Sequence, residues 1–556
     1  MNAAYLALFS LAVFGAGYRF YGGFLSSRVF RLDDNNITPA HRFEDGIDFV
    51  PTRRPVLFGH HFTSIAGASP IVGPAIAVIW GWFPAIVWVV LGTVFIGGTH
   101  DLGALVVSLR HEGKTIGELT SEIISPRSRT LFLILIFFML VIVIAVFALI
   151  IAILFIRYPE SVFPVVTEMV LAVGMGLFLY KRQGSVLVSG IVSVLAVYLL
   201  TYLGTLFPIT LGATFMGSEL TGWIILILTY SFGAAVLPVW LLLQPRDFIN
   251  AQGLFVGLFF MYLGLFAAGP KVVAPAFVAH PAGAPAIIPF IFIIIACGAI
   301  SGFHSLVSSG TTVKQLDKET DALPVAYGSM VGEGLLALMA VIACTAGFPT
   351  SAAWESHYRS WGAAQGLGSK IAAFVAGGSG FLSACGISPS FARAIVAVII
   401  ISFAMTTIDT STRLQRYVIS ELGNGFGLKS LTNRHVSGAV AVLSAFGLAV
   451  SRGAGKGGMI LWPLFGTTNQ LLAGLSLLII TVYLIRLGRS FFYTLIPMLF
   501  IMLVTLWGMS KNLLKFFASS DWLLLGLGAV MFLLALWMLF EAGRVYKRSR
   551  KKAYVH

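Results

Sequence analysis

With 556 residues, 58% of them hydrophobic and only 10% charged, and a mean hydropathy of +0.92, the chain is too apolar for a soluble domain. Its formal charge of +14 is what basic inner loops give a membrane protein, so no nucleic-acid partner is expected. Three cysteines, Cys297, Cys344 and Cys385, all in apolar settings, are too few for a disulfide framework.

Apolar runs long enough to cross ~30 Å of hydrocarbon predict about fifteen spans. They fall at 2–24, 58–80, 83–109, 131–156, 163–180, 186–207, 222–243, 253–269, 287–309, 323–348, 391–408, 436–450, 459–485, 491–508 and 522–540. The expected fold is an all-α polytopic membrane protein with no separate soluble domain. Met1 leads straight into the first apolar run, with no basic n-region and no cleavage motif, so that run reads as an uncleaved helix. With the N-terminus outside and the C-terminus cytoplasmic, 27 of the 36 Lys and Arg fall on the inner face. They end in a basic tail, GRVYKRSRKK, suited to anionic lipid headgroups. The other nine are Arg157, Lys271, Arg359, Lys370, Arg393, Arg452, Lys456, Lys511 and Lys515. They fit the outer face if 369–387 is a re-entrant or surface segment.

The second span carries GHHFTSIAGASPIVGP, with two histidines, then glycines and prolines where an unbroken helix is expected. Unwound backbone costs several kcal/mol per unpaired group in hydrocarbon, on the order of 4–8, and persists there only where it lines a cavity or binds something. His60 and His61 diverge by about 100° on a helix, and either suits a coupling proton or a carboxylate. Ser64, Gly67, Ala68 and Ser69 are the expected substrate-binding stretch, aiming the N–H groups of the following half-helix at an anion. An interfacial histidine pair and a packing kink are the plainer readings of the same residues.

Further along, His100 and Asp101 near the end of the third span read as a proton relay or a capped pair. In the seventh span Gly233 and Pro238 predict a second break, with Tyr230 beside it in the site. Two broken spans five apart imply a five-plus-five inverted repeat, a LeuT-like core, over 58–207 and 222–409. It is flanked by 1–57, by extra helices at 436–541 and by the tail 542–556. In the ninth span Ser301, His304, Ser308 and Thr311 recur at spacings of three, four and three, one polar stripe on an apolar helix. Hydroxyls bonded to their own helix carbonyls are the alternative. Glu333, mid-span between glycines, is the clearest buried acid and hence a functional candidate. Glu168 and Asp409 lie nearer span ends, where snorkelling or a salt bridge to an Arg explains them. Asn469 and Gln470 read as interhelical glue.

The strings DGIDFVPTRRPVLFGHHFTSIAGASPIVGPAIA, YSFGAAVLPVWLLLQPRDF, ACGAISGFHSLVSSGTTVKQLDKETDA, TTIDTSTRLQRYVISELG and WPLFGTTNQLLAG resemble the carbon starvation protein A (CstA) family, of which this would be a shorter member. The resemblance implies an inner-membrane carrier related to the amino-acid, polyamine and organocation superfamily. It implies uptake of peptides or pyruvate in carbon starvation, with protons rather than Na⁺ as the coupling ion. In that superfamily the counterpart of the ninth span offers hydroxyls to a sodium ion beside the first broken helix, so the resemblance implies that Ser308, Ser309, Thr311 and Thr312 could do the same; His304, Glu333 and Asp101 are the ion-coupling candidates from the residues themselves. No cofactor and no catalytic residue is expected, and the oligomeric state is left open. The competing class is a membrane metalloenzyme built on His60, His61, His100, Asp101 and His304, against which stands the lack of any H-x-x-H, H-x-x-x-H or E-x-x-H string in the spans.

Overall fold

The architecture was taken from a computed structural model that describes residues 1–182, 184–212, 217–362, 367–451 and 462–553. Of the positions named above, Arg452, Lys456, the start of the 459–485 span and the last three residues of the 542–556 tail lie outside the described residues. The chain is 80% helical, with no sheet among the described residues.

Among the described residues twelve helices are long and apolar enough to cross a membrane, and a pair bent by 43°, Arg54–Ala66 with Ser69–Trp80, raises the number to thirteen. In chain order the elements are α1 (Ala3–Phe30), the bent pair α2 (Arg54–Ala66) and α3 (Ser69–Ala77), then α4 (Trp82–Leu109). Next come the short amphipathic α5 (Ile116–Ile123), α6 (Pro126–Arg157), α7 (Pro159–Lys181), α8 (Val186–Leu206), α9 (Glu219–Val236) and α10 (Leu243–Ala268). Two short helices, α11 (Ile287–Ile294) and α12 (Gly302–Gly310), precede α13 (Glu319–Ala346) and α14 (Leu367–Ala384). The last are α15 (Pro389–Gly425), α16 (Arg434–Val450), α17 (Trp462–Arg486), α18 (Phe492–Ala518) and α19 (Trp522–Ala553).

Local chemistry sets many of these boundaries. Thr115 and Glu118 form a capping box at the start of α5. The Ser125 side chain accepts from the Ser128 N–H, and Pro126 occupies the first turn of α6. Proline also opens α2, α3 and α15, where its missing N–H is not needed.

Two of the longest helices, α6 with 32 residues and α15 with 37, extend about 48 and 56 Å and pack along each other at the centre. Around them, α9 lies on α6, α15 and α16, and α16 lies on both α15 and α6. α10 covers α2, α14 and α15, while α17 covers α12, α4, α5 and α6. α3 packs on α13, as α12 packs on α4. The hairpin of α7 and α8 sits outside α10, and α18 and α19 sit outside α17.

One expectation is corrected here. The second break is not at Gly233 and Pro238, since α9 runs unbroken through Gly233 to Val236 and the next helix begins at Leu243. Pro238 lies in the connection between two complete helices, where a missing N–H disrupts no helical hydrogen bond. The second interruption falls instead within the predicted ninth span, between Ile294 and Gly302. The predicted span 436–450 is a helix of 17 residues.

Candidate functional site

The two interruptions adjoin. α2 stops at Ala66 because Gly67 takes φ 47° and ψ −161°, and α3 restarts at Ser69. In the second, Gly298 has φ 95°, a conformation open to glycine and strained for other residues. A Cβ on Gly298 would lie 2.7 Å from Ala337 and 3.5 Å from Pro70, and one on Gly73 would lie 2.3 Å from the Ile294 carbonyl oxygen. The close approach of α3 to the second interruption therefore rests on missing side chains.

Side chains satisfy several backbone groups that the interruptions release. The Ile295 carbonyl accepts from Trp88 Nε1 at 3.0 Å and the Gly298 carbonyl from Thr93 Oγ1 at 2.9 Å. The Thr63 carbonyl accepts from Thr406 Oγ1 at 3.2 Å. Asn469 Oδ1 accepts from the Phe303 N–H at 3.0 Å, capping α12, and from Ser301 Oγ at 3.1 Å. Irregular backbone survives in hydrocarbon under this condition.

Two wholly buried polar clusters flank α2. In the first, Asp101 receives His100 Nδ1 at 2.7 Å and His304 Nδ1 at 2.9 Å on its two oxygens, and His304 Nε2 faces Glu333 Oε2 at 3.3 Å. His61 Nδ1 lies 2.8 Å from Thr312 Oγ1. In the second, His60 Nδ1 lies 2.6 Å from Asp247 Oδ2, which also accepts from Ser64 Oγ at 3.2 Å. Ser64 meets Thr410 at 3.0 Å, and His60 Nε2 lies 3.3 Å from Gln315 Nε2. The neighbouring Arg246 donates to Asp409 at 2.5 Å and to Tyr230 OH at 2.8 Å, and its Nε is 3.7 Å from Glu168.

A cavity of about 370 Å³ reaches both interruptions, touching Ser69 and Gly73 on α3 and Ala296 and Cys297 in the second. Lys370, Lys511 and Lys515 line it with Asn469 and Asn512, and no Asp or Glu does so among the described residues. A smaller space beneath it is bounded by Gly67, Phe147, Phe303, Thr407 and Phe465.

Most of the predicted site residues gather here, in roles their spacing did not specify. His60 and His61 do diverge, but neither faces the cavity, and each enters a different cluster. Gly67, Ala68 and Ser69 form the first interruption. His304, Asp101 and Glu333 meet directly. Of the predicted stripe, Ser301 precedes α12, Thr311 Oγ1 donates back to the Val307 carbonyl and Ser308 Oγ is buried without a partner, while the neighbouring Ser309 Oγ donates to the Ser305 carbonyl. Gly233 stands apart from both interruptions, with open space where its Cβ would be. Tyr230 belongs to the Arg246 cluster and not to a break. Glu168 and Asp409 are at most 3% exposed and share Arg246, so the salt bridge and not snorkelling explains them.

Sequence reasoning passed over Arg246, Asp247, Gln315, Thr410 and the three cavity lysines. Arg246 and Asp247 sit in the string LLLQPRDF, whose adjacent charges read as a loop; the arginine next to an aspartate at a span edge was the available signal. Among the described residues no three His, Cys, Asp or Glu side chains are arranged to hold a metal, because His60 turns to Asp247 while His304 turns to Asp101.

The family model for carbon starvation protein CstA matches residues 2–355 and 350–508. A peptide transporter CstA of Campylobacter jejuni is 32% identical over 574 residues, covering 93% of this chain and 81% of its own. The peptide transporter CstA of Escherichia coli is 34% identical over 576 residues, covering 91% and 80%. The pyruvate/proton symporter BtsT of Escherichia coli is 32% identical over 603 residues, covering 94% and 82%. The metalloenzyme alternative finds no support in these matches. The chain belongs to the carbon starvation protein CstA family, as a multi-pass membrane transporter and not an enzyme.

Proposed function

We propose that the protein is a proton-coupled importer of a small carboxylate-bearing nutrient, a peptide or pyruvate, held between the interruptions at 67–68 and 295–301. The observation that carries this reading is the cavity at both interruptions, lined by Lys370, Lys511 and Lys515 and by no acid among the described residues. Such a lining raises the local concentration of anions and draws them toward the interruptions. Names among the relatives support both substrate classes, with protons in one of them. For coupling, the reading uses His304, which stands between the carboxylates of Asp101 and Glu333.

The packing supports an inverted-repeat core whose halves begin at the two interruptions. In this reading α2–α3, α4, α5, α6, α9 and α10 correspond to α11–α12, α13, α14, α15, α16 and α17. The partner sets match under exchange: α9 on α6 and α15 mirrors α16 on α15 and α6, and α3 on α13 mirrors α12 on α4. The α7–α8 hairpin is then an insertion in the first half. Counting α11–α12 and α16 as crossings gives fifteen, with the N-terminus outside and the basic tail on the cytoplasmic side of the inner membrane. Transport proceeds by alternating access, the interrupted helices and their partners rocking against the rest.

A second reading, Na⁺ at the hydroxyls of Ser308, Ser309, Thr311 and Thr312, draws on the buried, unpartnered Ser308 Oγ. One grid separates the two: uptake of labelled pyruvate and of a labelled dipeptide into proteoliposomes, under a pH gradient and separately under a Na⁺ gradient. Accumulation driven by the pH gradient is expected. Accumulation driven by Na⁺ alone would transfer coupling to α12, and no accumulation of either substrate would overturn the reading.

A further inference from the structure

The cluster around Arg246 has more carboxylates than its cations balance. Glu168 on α7, Asp247 on α10 and Asp409 on α15 are each at most 3% exposed. Facing them are one guanidinium, Arg246, and one imidazole, His60 on α2, together with the neutral Tyr230, Ser64, Asn250 and Ser402. Tyr198 and Thr201 of α8 line the cavity beside Ser402 and bring no charge. Among the described residues no other Lys, Arg or His pairs with these three acids. Even with His60 charged, the cluster would carry a net −1 in the membrane interior, and an uncompensated buried charge is met by taking up a proton. The first cluster differs, since its two acids, Asp101 and Glu333, meet two histidines, His100 and His304.

Hydrogen bonding decides which acid holds that proton. Asp409 Oδ2 accepts from Arg246 at 2.5 Å and from Tyr230 at 2.8 Å. Asp247 Oδ2 has His60 at 2.6 Å and Ser64 at 3.2 Å. Glu168 has Ser402 Oγ on Oε2 at 3.0 Å, Arg246 Nε only at 3.7 Å, and no hydrogen-bond partner on Oε1. Donors stabilise the ionised form; Asp409 Oδ1 is likewise without a partner, but of the three acids Glu168 alone has no arginine or histidine within hydrogen-bond distance. A cavity of about 20 Å³ between α8, α10 and α15 is lined by Asn250 and by Ser402, which donates to Glu168, and that is room for one water.

We propose that Glu168 is a proton-carrying acid of this transporter, separate from the His304 cluster, taking up a proton as –COO⁻ becomes –COOH and releasing it as Arg246 closes on it. This rests on the proton-coupled reading above, but its test does not depend on that reading alone. Infrared spectra of the purified full-length protein, titrated with pH, are compared between wild type and Glu168→Gln. A protonated-carboxyl band present in wild type and lost in the variant is expected; an unchanged band would overturn the proposal. In proteoliposomes, Glu168→Gln should keep counterflow exchange of labelled pyruvate or dipeptide while losing accumulation driven by a pH gradient. Accumulation at the wild-type level would overturn it, whereas a wild type indifferent to pH would overturn the proton-coupled reading instead. Should Glu168→Gln fail to fold, Glu168→Asp carries the test: a shifted carboxyl band with pH-driven uptake retained supports the proposal, and an unshifted band overturns it.

Discussion

At the scale of single residues, the buried acids are the informative positions, because each must find a partner or a proton in hydrocarbon. Glu333 was legible in the sequence as a mid-span carboxylate, and it faces His304 across 3.3 Å. Glu333→Gln keeps the volume and removes the charge, so pH-driven accumulation in proteoliposomes is expected to be lost while exchange persists. Uptake at the wild-type level under the same gradient would remove Glu333 from the proton path. Asp247 was not legible: with Arg246 before it and proline before that, local sequence favours a loop, and only the packing of α10 on α2 brings it to His60. His60 and His61 show both sides of this difference. Their divergence follows from helical geometry, but their partners, Asp247 and Thr312, lie 187 and 251 residues away in the chain.

At the scale of elements, the first interruption was readable because Gly67, Pro70, Gly73 and Pro74 all act locally on the backbone. Gly67 has a positive φ, and a Cβ there would stand 2.8 Å from Thr407 Oγ1 and 3.2 Å from Phe147 Cε1. Gly67→Leu should therefore block transport by straining the backbone and filling the space under the cavity; wild-type uptake rates from protein reconstituted in equal amount would show that the segment only packs. The second interruption was misplaced because Gly233 and Pro238 are equally strong local signals. A proline between two helices and a proline that breaks one look alike in sequence. What separates them is where the helix ends fall, and that is settled by α10 beginning at Leu243 and covering α2.

At the scale of the whole molecule, the loop ahead of α2 ties the C-terminal part of α15 to α9. Asp48 Oδ1 accepts from Arg413 at 2.9 Å and from Tyr417 OH at 2.6 Å, with Arg416 at 3.8 Å. Arg413 also donates to the carbonyls of Ala234 and Leu237 at the end of α9. Burial by itself would raise the Asp48 carboxyl, but Arg413, Lys314, the Tyr417 hydrogen bond and Arg416 together hold it below the ordinary carboxylate value. The sign follows directly: a lowered value in the folded state contributes stability above the ordinary carboxylate range, and this is lost as pH falls through the lowered value. Asp48→Asn should cost about 2 kcal/mol, less than a fully buried pair because the side chain keeps 21% exposure. Thermal unfolding in detergent reads this as a lower midpoint at neutral pH, with the gap from wild type closing in strong acid. Equal midpoints at neutral pH would show the clamp to be energetically idle.

The sequence by itself determined that this is a polytopic helical membrane protein of the CstA family, with an unwound segment at residue 67 and buried acids and histidines nearby. These features depend on composition, on run length and on residues that act on their own backbone. Only the tertiary structure decided that the second interruption lies at 295–301, that Asp247 serves His60, that Glu168 and Asp409 share Arg246, and that Lys370, Lys511 and Lys515 line one cavity. Each of these joins side chains from helices far apart in the chain. Hydropathy, which is nearly uniform along every span, leaves open which apolar helix packs on which, and the answer comes from the fit of glycine and alanine faces and from the need of each buried polar group to find its partner.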